Sequence, residues 1–306
     1  MKVLITGSSG LLGLALDKSL SANGHEVVRL LRNNLVKDSP HWNPEKGIIN
    51  LEGFSSIDVV IHLAGDNISD GRWNAVKKSR ILNSRVDGTK LISEFLGKLN
   101  PKPKVFISGS AIGIYGHCEN NVIDEKSKPG TGFLSDVCQQ WEESTRPAIN
   151  AGIRVVNIRT GTVLSTLGGA LKKMLLPFKM GLGGIIGDGT QYMSWVSIND
   201  VSEMIQYVMT NESIHGPVNL VSPHPVSNYE FTKTLGGILR RPTIFPMPAF
   251  MARLIFGEMA NELLLSSIRV IPQKLMDSGY KFQHFKLDTA LQYLLKMEKD
   301  TARLSE

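Results

Sequence analysis

The sequence predicts an α/β fold: a parallel sheet covered by helices on both faces, with a smaller second lobe built from the C-terminal part. Three observations predict it. Short apolar runs alternate with amphipathic stretches of helical length. The runs are rich in Val, Ile and Leu and do not alternate with polar residues, as expected of strands buried on both faces. A glycine-spaced turn joins the first run to the first helical stretch.

The elements follow in order. Lys2–Thr6 reads as a buried strand and Leu11–Asn23 as a helix stopped by Gly24. Glu26–Leu31 and Asp58–Leu63 read as the second and third strands. The stretch from Arg72 to Leu99 reads as a helix ended by Asn100-Pro101, and Val105–Ser108 as the fourth strand. Gly132–Ala151 reads as one helix bent near Pro147, and Val155–Ile158 as a further strand. Beyond Gly161, glycines punctuate a looser pattern with helical pieces near Ala170–Met180, Asp200–Met209, Tyr229–Leu239 and Phe250–Ser267. This divides the chain into a sheet domain over 1–165 and a lobe over 166–306, some of whose segments return to the core.

Composition narrows the function classes. The 306 residues carry a net charge of +6, but Lys and Arg are scattered, with no basic arm or basic-aromatic stripe; nucleic acid is not the expected partner. Two cysteines, Cys118 and Cys138, show no metal-binding or disulfide spacing, so a reduced setting and no metal are expected. No apolar run is long enough to span a bilayer, and the first strand begins too early for a leader. A cytoplasmic protein without a membrane partner is the expectation.

The turn Gly7-Ser-Ser-Gly10-Leu-Leu-Gly13 carries the main chemical signal. The first glycine permits the tight turn, the second lets backbone approach a pyrophosphate, and the third lets helix pack on strand. Amides at the helix start, around Ser9, Leu11 and Leu12, are then available to phosphate oxygens. This is the dinucleotide-binding signature of a Rossmann domain. At the end of the second strand a carboxylate would select the ribose hydroxyls of NAD, but the chain reads Leu30-Leu31-Arg32-Asn33. Arg32 suits a 2′-phosphate, so NADP(H) is the expected cofactor. Arg29, earlier in the strand, is expected to point elsewhere. Leu63, Ala64 and Gly65 follow the third strand and would line the cofactor groove. His62, inside the strand, reads as a packed core histidine.

Several further motifs coincide: Asp58-Val-Val-Ile-His-Leu-Ala-Gly65, Arg85-Val-Asp-Gly-Thr89, Ser108-Gly-Ser-Ala-Ile-Gly-Ile-Tyr-Gly116 and Arg159-Thr-Gly-Thr-Val163. With the glycine loop, they resemble the extended short-chain dehydrogenase/reductase (SDR) superfamily, which includes nucleotide-sugar epimerases and dehydratases. Downstream, Leu175–Gly184, Trp195-Val-Ser-Ile-Asn-Asp200 and Val270-Ile-Pro-Gln273 resemble one epimerase-like subgroup. Some bacterial and plastid members of that subgroup carry a cell-division-suppressor label. The resemblance implies a seven-stranded Rossmann core, NADP(H), a substrate lobe from the C-terminal part, a small carbonyl or hydroxyl substrate such as a nucleotide sugar, and often a homodimer. Arg85 stands where many relatives have Asn; it reads either as a further cationic cofactor contact or as a surface ion pair.

The resemblance breaks at the proton-transfer motif. SDR hydride transfer normally uses Tyr-x-x-x-Lys on the helix after the fourth strand read here. Here one register gives Leu134 and Cys138, and a shift by one gives Phe133 and Val137. Phe and Leu carry no titratable proton, and a buried thiol is expected to be inert. The usual serine position falls on Ala111, with Ser110 beside it. Ser108 and Ser110 lie at the strand's carboxyl edge, where ligands bind, and are expected to contact substrate or nicotinamide; Ser110, Tyr115 or a water is the candidate proton carrier. Lys179, near a glycine-rich loop, reads either as a solvated side chain or as a contact to substrate phosphate, Asp200 as an N-cap or first-turn helix acid, and Met247, Met251 and Met259 as core or the lining of an apolar pocket. Two functions stay open: an NADP(H)-dependent oxidoreductase or epimerase, and a cofactor-binding regulator that acts through a protein partner.

Overall fold

A computed structural model describes residues 1–32, 39–51 and 56–304. Asn33 therefore lies outside the described residues. Two compact units are interleaved along the chain. Met1–Ile114, Ser135–Arg159 and Ser202–Val218 make the first; Tyr115–Leu134, Thr160–Val201 and Asn219–Glu306 make the second.

The first unit is built on strands β1 (Lys2–Thr6), β2 (Glu26–Arg32), β3 (His41–Asn43), β4 (Ile48–Asn50), β5 (Val59–His62) and β6 (Val105–Ala111), and on helices α1 (Leu11–Ala22), α2 (Ala75–Lys98) and α3 (Phe133–Glu143). Among the described residues the sheet holds eight strands in the order Gly216–Leu220, Arg154–Thr160, β6, β5, β1, β2, β3, β4. β1 pairs in parallel with β2 on one side and β5 on the other, and β5 pairs in parallel with β6. The strand order thus reverses at β1, which opens a crevice at the carboxyl ends of these strands. The seven strands implied by the resemblance become eight, because Ile48–Asn50 folds back antiparallel on His41–Asn43 and extends the edge. Asn43 and Gly47 make that return possible: Asn43 accepts the Lys46 amide, and Gly47 takes the left-handed conformation at φ 65°.

Both faces are covered. Leu4, Val28, Val60 and Phe106 project from alternate strand positions into one core with Trp42 and with Ile92 and Leu96 of α2. Burial of each such helix side chain contributes roughly 1.5–3 kcal/mol. Ser93 of α2 donates to the Thr145 carbonyl and accepts from the Ala148 amide, fixing the helix Arg146–Asn150 beside α2. The helix expected over 132–151 is thus two: Pro147 lies in the first turn of the second, where its missing amide hydrogen costs nothing. Gln206, on the helix Ile198–Thr210, donates to Ser19 of α1 and accepts from Asn23.

Among the described residues the second unit contains three small sheets. Trp195–Ser197 runs parallel to Thr162–Leu164, Tyr192–Met193 antiparallel to Val226–Ser227, and Arg269–Val270 parallel to Val122–Ile123. Asp200 is, as expected, a first-turn acid. Its amide donates to Ser197 Oγ, and its carboxylate accepts the amides of Gln283 and His284 and lies 2.9 Å from His284 Nδ1. Lys179 pairs with Glu298. The apolar stretch expected as one helix over 250–267 is a helix over Ala249–Phe256 and a separate π-turn over Ala260–Leu264, divided at Gly257 with φ 63°. Met247 and Met259 are half-buried and Met251 is exposed, so none sits in a closed core.

Candidate cofactor site

The turn after β1 closes through the Gly10 amide, which donates to the Gly7 carbonyl at 3.0 Å. Gly7 has φ 69°, and a Cβ there would meet the backbone of Leu63 and Ala64 at 2.7–2.9 Å. A Cβ on Gly13 would overlap the Gly7 carbonyl, so this glycine lets α1 press on the turn. Gly10 is different. Its Cβ would meet only the Gly7 oxygen, at 3.3 Å, and the residue is exposed, as is Ser9. No side chain caps α1, and its first turn holds no acid, so the amides around Leu11 and Leu12 are left to an external acceptor.

Around this turn the sequence candidates gather on one sheet edge. Arg32 is exposed at the end of β2. Arg29 points elsewhere, as expected, with Nε 3.1 Å from Asp17 Oδ2 on α1. Leu63 and Ala64 hang on the end of β1: the Leu63 amide donates to the Thr6 carbonyl and the Ala64 amide to Thr6 Oγ1. Beneath them His62 is fully buried against Trp42, with Nδ1 2.6 Å from Thr6 Oγ1. Burial, with the charge of Arg32 adding to it, lowers its pKa to about 3, so it is a neutral core residue.

Arg85 of α2 is neither solvated nor at a surface pair. Its Nη1 donates to the carbonyls of Asp66 and Ile81 at 3.0 and 3.1 Å, and its guanidinium lies over the Trp141 ring at 5.0 Å. Gly65 gives it room, since a Cβ there would stand 3.3 Å from Arg85 Cζ. Trp141 in turn lies on Gly109 of β6 and donates to Thr89 Oγ1. Arg85 thus clamps the loop after β5.

The chemistry expected at α3 is replaced. Leu134, Val137 and Cys138 are buried, and burial pushes the Cys138 thiol up to about 12. A network absent from the sequence reading stands nearby. Ser110 donates to Glu142 Oε1 at 2.7 Å, while Arg159 grips the same carboxylate through Nε and Nη2, both at 2.8 Å. Arg159 and Glu142 are largely buried. With its proton committed to Glu142, the Ser110 oxygen keeps lone pairs for a donor. Ser108 is fully buried, with its hydroxyl turned to the Gly109 carbonyl at 3.4 Å.

Tyr115 needs a correction. Its ring is buried in the second unit, and its hydroxyl donates to Asn219 Oδ1 at 2.8 Å. Asn219 is itself fixed, donating to the Ile271 carbonyl through Nδ2 and to Glu125 through its amide. The phenol is a structural donor rather than a free proton carrier.

The model of the NAD dependent epimerase/dehydratase family matches residues 3–220, and a domain of unknown function matches 247–294. An epimerase family protein of Mycobacterium bovis is 41% identical over 292 residues, covering 95% of this chain and 96% of the relative. The crystal structure of human epimerase family protein SDR39U1 with NADPH superposes at a TM-score of 0.89 with 31% identity, over 97% of this chain and 99% of that one. A nucleoside-diphosphate sugar epimerase from Corynebacterium glutamicum is 33% identical at a TM-score of 0.79, over all of this chain and 62% of that one. The chain belongs to the NAD dependent epimerase/dehydratase family.

Proposed function

We propose that this protein binds NADP(H) and uses it on a small carbonyl or hydroxyl substrate, such as a nucleotide-linked sugar. The observation that carries the reading is the uncapped start of α1 beside Gly7 and Gly10, at the strand-order reversal of a parallel sheet. The human relative solved with NADPH supports the choice of cofactor.

The amides of Ser9, Leu11 and Leu12 hold the diphosphate, with Gly13 keeping α1 close enough to do so. Arg32 pairs with the 2′-phosphate. Leu63, Ala64 and Gly65 form the floor beside the adenosine, and Arg85 keeps that floor in place. When bound, the cofactor accepts or delivers a hydride at its nicotinamide. Ser110 receives the substrate hydroxyl as a hydrogen-bond donor, and the Glu142–Arg159 pair holds the serine in that polarity.

A second reading is a cofactor-binding regulator without turnover. The apolar or inert side chains at both Tyr-x-x-x-Lys registers favour it. Single-turnover reduction of NADP⁺, with a panel of sugar nucleotides and simple alcohols, separates the two. Substrate-dependent NADPH absorbance supports the enzyme. Silence across the panel with cofactor binding intact supports the regulator.

A further inference from the structure

Arg85 carries a charge that no acid pairs with. Its side chain is largely buried, and that burial lowers its pKa from the ordinary value, yet a guanidinium stays charged in a protein. Among the described residues no carboxylate lies within ion-pair distance of it. The Asp66 carboxylate is taken by Lys77 Nζ at 2.6 Å and Arg80 Nη2 at 2.9 Å, and the Glu142 carboxylate by Arg159 and Ser110. Arg85 uses only Nη1, in its bonds to the carbonyls of Asp66 and Ile81. Among the described residues Nε and Nη2 have no hydrogen-bond partner. A largely desolvated cation with spare donors is costly unless a ligand completes it.

Its place on the sheet edge selects that ligand. Strands β2, β1, β5 and β6 lie side by side in that order. Arg32 ends β2, the glycine turn follows β1, Gly65 follows β5, and Ser110 lies on β6. A dinucleotide with its 2′-phosphate at Arg32 and its diphosphate at the turn has its nicotinamide half on the β5–β6 side. Arg85 stands on that side. It lies beside Gly65, over the Trp141 ring that covers Gly109 of β6, and within electrostatic reach of the Cys138 thiol. Cys138 is the residue that one register of Tyr-x-x-x-Lys puts at the lysine. A buried thiol there brings no cation, and the guanidinium comes to it from the neighbouring helix. We propose that Arg85 supplies from α2 the cation that α3 lacks, its Nε and Nη2 donating to oxygen atoms of the nicotinamide riboside of bound NADP(H). The inference rests on the cofactor reading above and names the residue that grips the reacting half.

Calorimetric titrations of the full chain with two ligands test it: NADPH, and adenosine 2′,5′-bisphosphate, which lacks the nicotinamide riboside. The wild type is expected to bind both. Arg85→Met is expected to weaken NADPH by about tenfold or more, through loss of charge-assisted hydrogen bonds, and to leave the bisphosphate within about twofold. Arg85→Lys keeps a cation and a donor for the two carbonyls, and serves if the Met variant does not fold. It is expected to weaken NADPH by roughly threefold or more and again to spare the bisphosphate. Arg32→Asp is expected to weaken both ligands, since both carry the 2′-phosphate. An Arg85 that only clamped the loop would, when replaced, weaken both ligands by the same factor. That result in a folded variant, or unchanged NADPH affinity, would overturn the proposal and leave the cofactor reading standing. Folded wild type that binds neither ligand would overturn both.

Discussion

Ser110 donates its hydroxyl hydrogen to Glu142 Oε1 at 2.7 Å, which leaves the serine oxygen as an acceptor. Ser110→Ala removes that acceptor. Turnover of any substrate found for this protein should then fall by about 10²-fold or more, with NADPH affinity unchanged in a fluorescence titration. Glu142→Ala leaves the buried Arg159 guanidinium without its carboxylate and should cost about 3–5 kcal/mol in denaturant unfolding. A Glu142→Ala protein as stable as wild type would refute the network's structural role.

Arg32 stands exposed at the end of β2 where a carboxylate would select NAD. Arg32→Asp should weaken NADPH by about 10–100-fold and leave NADH within a few-fold, as expected for loss of a charge-assisted phosphate contact. Parallel titrations of the two cofactors check this, and an unchanged ratio of their affinities would contradict it.

Gly10 and Gly13 separate binding from folding. A Cβ at Gly13 overlaps the Gly7 carbonyl, so Gly13→Ala should lower stability by about 1–3 kcal/mol through overpacking. Gly10 meets only one oxygen, at 3.3 Å, and is exposed to the outside. Gly10→Val should therefore stay folded and lose cofactor affinity. Circular dichroism melts beside calorimetric titration distinguish the two outcomes.

His62 titrates near 6.5 when unfolded and near 3 when folded. Between those values the unfolded chain takes up a proton that the folded chain refuses. The stability that follows from neutrality is complete above about pH 7 and is lost as the pH falls, to a limit of about 5 kcal/mol. Thermal melts from about pH 7 to about pH 4 should fall more steeply for wild type than for His62→Gln. Parallel curves would contradict the buried, neutral histidine.

Much of the sheet was legible because each strand is a short apolar run between turn residues. The β1 turn was legible because its three glycines are close in sequence and each answers a separate steric demand. The His41–Asn50 hairpin was not legible: its strands are three residues long, too short for a period to show. The Ser110–Glu142–Arg159 network was invisible for another reason. Its members lie 32 and 17 residues apart and meet only once β6, α3 and the strand Arg154–Thr160 have packed. Tyr115 misled because its motif places a tyrosine near the strand edge, while the partner that consumes its hydroxyl, Asn219, lies 104 residues away.

The most direct test of the account is an equilibrium titration of the purified chain with NADPH, followed by nicotinamide fluorescence and repeated with the Gly10→Val variant. The account predicts saturable binding by the wild type, tighter for NADPH than for NADH, and none by a folded Gly10→Val protein. Absence of binding by folded wild type, or equal binding by the variant, would contradict it.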